Sequence, residues 1–347
     1  QLFTQLDNQF GPRFNLRTEI DDDCMFGPNQ GSEPEVFASA GDDAGARDDA
    51  DESVAVLSRE AVGPYDLSVL LPTSVGALRD WLDSNGYQIP DAADATLSPY
   101  VEMGSAFIAL KLLPAADSGD VQPLSLRFAG DIPAVPIVPT SVAANPDMGI
   151  IVHLLADARG VSTNYRHVSI NEATIDWANR GSNYPDVVSQ AIDEAGGQAF
   201  VTDFAGAHEG VVSLDVIDES ALDEIRRIEP SDDGAWVWTE IEDILRRQLR
   251  QNDSDFARIA RGVISVPETI DINEFLVRPR RFQGREDATL IDVDIDALIA
   301  RIETEINEVR IAIGDIFARN PYLTRLYSTM SPEEMTVDPV FAWNRDL

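Results

Sequence analysis

NYPDVVSQAIDEAGGQAFVTDFAG, residues 183–206, holds a complete helix and the strand that follows it, and the fold class is read outward from there. Pro185 sits at a first helical position, where a missing N–H leaves no bond unmade. Val187, Val188, Ala191, Ile192 and Ala195 line one face at helical spacing, Gly196-Gly197 ends the helix, and AFVTDFAG (199–206) returns as a strand. Upstream, GIIVHLLA (149–156) and FIALKLL (107–113) are apolar on both alternating faces, Lys111 excepted, which predicts central strands covered on both sides. PLSLRFA (123–129) and the Pro-interrupted VPIVP (135–139) read as flanking or edge strands. VAVL (54–57) and YDLSVLLP (65–72) are also strand-like. A helix follows them, with Ser74 as N-cap, a face of Val75, Leu78, Trp81 and Leu82, and a left-handed exit at Asn85-Gly86.

Downstream of Asp215 the character turns helical. Trp238, Ile241, Leu245 and Leu249 repeat at helical spacing, with Thr239 and Glu242 in capping-box register. Ile295, Leu298, Ile299, Ile302, Ile306, Val309, Ile313 and Ile316 hold one stripe up to Asn320-Pro321. A helix of about 25 residues there is some 38 Å long at 1.5 Å per residue. At the other end, Leu2, Phe3, Leu6 and Phe10 make a short helix closed by Gly11-Pro12, and Phe14, Leu16 and Ile20 alternate as a strand does.

The expectation is an α+β protein: residues 1–20 the remnant of an N-terminal domain, 21–53 an acidic linker, 54–214 a mixed α/β sheet domain, and 215–347 a mainly helical region with one long amphipathic helix.

Composition narrows the function. The 347 residues carry 61 acidic and 26 basic side chains, a net charge of −35, and Lys111 is the sole lysine. Clustered positive charge is what holds phosphate backbones, so nucleic acid is not expected as a partner. No run of 18 apolar residues occurs, so no transmembrane segment is expected. Scarce lysine with excess Asp also fits a high-salt or GC-rich source, which would make the charge a property of habitat. The chain begins at Gln1 without initiator Met, charged n-region or apolar h-region, the expectation being a removed leader or an internal start.

Most catalytic signatures are missing. A GxxxxGK[ST] loop needs a lysine after glycine, and Lys111 follows Leu110; GxGxxG, GxSxG and SxxK patterns are absent as well. Lys111 reads either as a buried amine fit for Schiff-base chemistry or, preferably, as a stem packed along a sheet with its charge met by a carboxylate. His153, in an apolar strand, reads as a hydrogen-bonded core residue. His208 and Glu209, in GAHEG at the end of the 199–206 strand, are the candidates for acid–base or metal chemistry, with Asp203 nearby. The plainer reading of that loop is a turn with a polar tip. In the 41–53 run, Asp42, Asp43, Asp48, Asp49 and Asp51 are candidate calcium ligands, although no EF-hand spacing is present. A solvated, self-repelling linker is the favoured alternative, and no cofactor is otherwise expected. The single cysteine, Cys24, excludes an internal disulfide, a CxxC pair and a thiolate zinc site.

Seven strings stand out together: FGPRFNLRTE (10–19), LRDWLDSNGYQIP (78–90), SPYVEMGSAFIALKL (98–112), PTSVAANPDMGIIVHLLADAR (139–159), NYRHVSINEATIDW (164–177), NYPDVVSQAIDEAGGQAFVTDFAG (183–206) and NPYLTRLYSTMSPEEMTVDPVF (320–341). Through them the chain resembles, over nearly its whole length, the bacterial family known as domain of unknown function 2330, prominent in myxobacteria. The resemblance implies compartment more than activity. Members carry a signal peptide, a Cys-containing N-terminal segment and a β-rich region before the part seen here, and the family supplies no catalytic residue to carry across. The implied location is exported: periplasm, outer membrane surface or extracellular. An unpaired cysteine in an exported protein implies a partner, so Cys24 is expected to form a disulfide to the missing segment, a separate or cleaved piece of the same precursor; the alternative is a small buried hydrophobe.

The leading expectation is therefore an uncharacterised exported protein of the cell envelope or extracellular space, non-catalytic, with a structural role in binding or assembling with other proteins. A metal-assisted hydrolase built on the His208/Glu209 loop is the rival. Cation-dependent adhesion through the acidic linker is the third option.

Overall fold

The computed structural model describes residues 2–14, 54–62, 65–113, 124–127, 130, 132–208, 216–229, 231–248 and 254–346. Cys24, Asp42, Asp43, Asp48, Asp49, Asp51 and Glu209 lie outside the described residues, so the readings placed on them are carried no further by the fold.

Helix α1 (Leu2–Phe10) comes first. Strands β1 (Val54–Val62), β2 (Tyr65–Pro72) and β3 (Phe107–Leu112) form an antiparallel sheet in that spatial order. Between β2 and β3 the chain makes α2 (Val75–Ser84) and α3 (Ala93–Glu102). Ser74 caps α2 as expected, its side chain accepting from the Ala77 N–H at 3.1 Å. Ala77, Leu78 and Trp81 pack on Val54, Leu70 and Ala109. The apolar 107–113 run is an edge strand, not a central one; β2 lies in the middle.

A second sheet has the order β4-β10-β7-β6, from β4 (Met148–Ala156), β6 (Arg166–Val168), β7 (Ala199–Ala207) and β10 (Tyr322–Met330). Strand β5 (Arg159–Ser162) pairs with β11 (Phe341–Asn344). Helix α4 (Tyr184–Glu194) carries the chain between the parallel strands β6 and β7, as a crossover must. It ends where predicted, with Gly196 and Gly197 at φ 90° and 91°, conformations closed to most side chains. The 149–156 run is again an edge strand, and β10 takes the inner place between β4 and β7.

Between β7 and its neighbour β10 lies one contiguous helical excursion: α5 (Glu219–Arg226), α6 (Gly234–Leu245), α7 (Ser254–Val263), α8 (Ile272–Val277), α9 (Ile295–Arg301) and α10 (Glu308–Arg319), with β8 (Ile264–Ser265) paired to β9 (Asp292–Val293). Its core, centred on Leu222, Trp238, Ile241, Phe275 and Leu298, draws, among the described residues, on 217–306 alone. The stripe predicted over 294–319 is a continuous helix in which a π-helical turn, Ile302–Asn307, joins α9 to α10. Asn307 clasps the start of the excursion, accepting from the Ile217 N–H at 2.9 Å and donating to its carbonyl at 2.7 Å.

The C-terminal region is mainly helical, as expected, and 322–330 and 341–344 return to the sheets. Two other expectations need correction. Helix α6 starts at Gly234 with Asp233 as cap, whereas Thr239 is buried inside it and donates to the Ala235 carbonyl; the small Gly234 and Ala235 hid the first turn. Leu124–Arg127 form no strand, and 135–139 supplies an extended stretch and the start of a 3-10 turn, Val138–Val142, beside a single bridge from Ala134 to Val340.

The four-stranded sheet buries both faces. On one, Val152, Leu154, Phe200, Leu326 and Met330 meet Tyr165, Met335 and Phe341. The other carries two separate apolar clusters: Val187, Val188 and Ile192 of α4 over Ala199 and Val201, and Leu6 and Phe10 of α1 over Phe317 and Leu323. Helix α1 is seated on the sheet through Leu6 and Phe10. The candidate site lies between these two clusters.

Candidate functional site

Side chains alternate along a strand, so Arg325 shares a face of β10 with Leu323 and Tyr327. Its side chain is 7% exposed. Nη1 donates to Asp203, and Nη2 donates to Asp7 of α1 at 3.0 Å. Asp203 stands where the β7–β10 register slips: Arg325 opposes Phe204 and Leu326 opposes Thr202, leaving Asp203 as the extra residue of a β-bulge. Bulges re-aim a side chain, and this one turns a carboxylate toward Arg325. The other Asp203 oxygen accepts from the Tyr184 hydroxyl, at the head of α4. Opposite Arg325 in the β4 register is His153.

The electrostatics follow from burial. Desolvation pushes the Asp203 carboxyl above its ordinary range, against the pull of the Tyr184 hydroxyl and the Arg325 guanidinium. Burial, and then the bond to Asp203, raise the Tyr184 phenol well above normal. Burial, reinforced by the Arg325 charge, lowers His153 to about 4, so it is neutral at pH 7. His153 is not the hydrogen-bonded core residue that the sequence suggested. Among the described residues its buried Nε2 has no hydrogen-bond partner, and neither has Arg325 Nε. The arrangement is a desolvated ion pair with a neutral imidazole beside it and two nitrogens unsatisfied.

Of the predicted site residues, Asp203 belongs to this cluster and His208 does something else. The His208 Nε2 bonds the Asn320 carbonyl at 2.6 Å, its N–H donates to the Pro321 carbonyl at 3.3 Å, and its ring stands edge-on to Phe317. His208 therefore buttons together the two chain crossings that lead into and out of the helical excursion. No hydrogen bond joins it to Asp203, and Glu209 lies outside the described residues. Lys111 meets Asp66 at 3.5 Å and the Asn85 carbonyl at 3.3 Å, with its amine over the Tyr87 ring. His167 lies 3.4 Å from the Thr202 hydroxyl. Among the described residues, no group of three or more His, Cys, Asp or Glu side chains is placed to hold a metal ion. A cavity of about 280 Å³ between α2, α3 and their sheet is walled by Leu70, Leu78, Leu97, Phe107 and Val142, without a charged group.

Sequence reasoning missed Arg325, Tyr184 and Asp7. The available signal was an arginine inside the otherwise apolar alternation YLTRLY, a position a strand rarely gives to a charge without a partner.

A different feature marks the first sheet. Strand β1 is its edge, and every residue from Ala55 to Val62 is exposed. Val56 is 46% exposed and Leu57 58%. Among the described residues, no strand pairs with its outer side. Its charge is partly managed, as Arg59 bonds Asp66 on β2.

The fold is that of an α+β protein. The chain belongs to the family known as domain of unknown function 2330, described as an uncharacterized protein conserved in bacteria, whose match covers residues 1–216. That span includes Asp7, His153, Tyr184 and Asp203 and stops short of Arg325. No curated protein and no solved structure matches the chain. No described helix is long and apolar enough to cross a membrane.

Proposed function

We propose that this is an exported, non-catalytic protein of the bacterial cell envelope or extracellular space that acts by assembling with other proteins. The observation that carries the reading is β1: a nine-residue edge strand, exposed along eight of its residues and presenting Val56 and Leu57 to solvent. Edges of this kind are templates for pairing with another chain, and natural proteins leave them bare where pairing is used. The buried cluster supports a structural role, because the Asp203 carboxylate, the Arg325 guanidinium and the Tyr184 phenol bond to one another in the interior.

A photo-crosslinking residue at Leu57, introduced in the native host and followed by envelope fractionation, tests both halves of the reading. Crosslinks to a defined protein in the envelope or medium, lost when Val56→Lys is added to the same chain, are expected. A chain confined to the cytoplasm, or free of crosslinks at native abundance, would overturn it.

A further inference from the structure

The Arg325 guanidinium offers its donors unevenly. Nη1 is taken by Asp203, Nη2 by Asp7, and Nε is buried with no partner among the described residues. Nε and Nη2 form the edge of the fork that suits the two oxygens of one carboxylate. Asp7 uses half of that edge and leaves a buried donor unmade, which costs the folded state a hydrogen bond.

The group that fills this place is lightly held. Helix α1 has nine residues, too few to be stable alone, and is seated by Leu6 and Phe10 against Phe317 and Leu323. Beyond it, Phe14 continues across the same face to Trp177 and Tyr184, at ring distances of 5.6 and 5.3 Å. Residues 2–14 thus lie as a strap over the cluster. The Asp7 side chain is 46% exposed although the guanidinium it meets is 7% exposed, so the position of its carboxylate is reached from solvent. Asp203 does not bar a second carboxylate, since Asp7 already occupies the spot.

We infer that the Nε/Nη2 edge of Arg325 is a binding site for a small organic carboxylate, with Asp7 as its built-in occupant, and that a ligand taking both donors displaces the strap. The gain is the bond that Asp7 fails to make, and the neutral His153 next to it adds no competing charge.

The test uses the full chain, wild type and the variants Asp7→Ala and Asp7→Asn, titrated with acetate, chloride or inorganic phosphate at matched ionic strength. The readouts are the Arg325 Nε–H NMR resonance, the melting temperature and amide exchange in α1. Acetate is expected to move the Nε–H resonance and raise the melting temperature of Asp7→Ala, with an apparent affinity at least about tenfold above wild type, where Asp7 competes. In wild type, saturating acetate should speed exchange in residues 2–10. Asp7→Asn keeps the side-chain size, and stands in if Asp7→Ala does not fold. Identical responses to acetate and chloride in the variants would overturn the site. Stronger binding of phosphate would overturn its assignment to carboxylates, and acetate binding with α1 exchange unchanged would overturn the displacement.

Discussion

Two carboxylates meet the same guanidinium, and burial should separate what each contributes. The Asp203 side chain is 1% exposed and accepts from both Tyr184 and Arg325, whereas Asp7 is half exposed and accepts from Arg325. Asp203→Ala strips acceptors from a buried phenol and a buried charge, so it is expected to lower stability by about 3–5 kcal/mol. Asp7→Ala removes a partner from the solvent side and should lower it by about 1 kcal/mol. Urea unfolding at pH 7 measures both, and comparison is valid while the slope against denaturant stays constant. Removing both ends of the pair, in Asp203→Leu/Arg325→Met, should recover most of the loss, because no charge is then left desolvated. Equal and small losses for the two single variants would refute the picture of a water-excluded pair set by the bulge.

His153 makes acid stability a second observable. Its folded pKa, about 4, lies below the unfolded value, so the unfolded chain takes up the proton first; stability is full above about pH 6.5 and falls as pH drops toward 4, by on the order of 1–3 kcal/mol. His153→Gln should flatten that decline, measured as the urea midpoint at pH 7 and pH 4.5. His208→Ala should remove the bond to Asn320 and the contact with Phe317, for about 1–2 kcal/mol, and speed amide exchange at Ala207 and Leu323. Unchanged exchange there would show that His208 does not hold the neck of the helical excursion.

Local grammar carried far in this chain. Ser74 caps α2, Pro185 opens α4, Gly196-Gly197 closes it, and the isoleucine stripe to Ile316 is one helix. The physical cause lies within a few residues in each case, so a window of sequence contains it. The α+β class followed from adding such windows together.

Strand order was not contained in any window. The runs 107–113 and 149–156 are apolar on both faces and read as central, but each ended as an edge, because residues distant in sequence supplied the inner strand. The buried cluster shows the same limit. Asp7, Tyr184, Asp203 and Arg325 are spread over more than three hundred positions, and a one-residue bulge aims Asp203. Periodicity and capping by themselves determined α2, α4 and the long helix over 294–319, since those depend on near neighbours. Only tertiary structure decided that β10 lies between β4 and β7, that α1 covers Arg325, and that His208 bonds the Asn320 carbonyl; pairing and burial are settled by contacts whose partners no local pattern names.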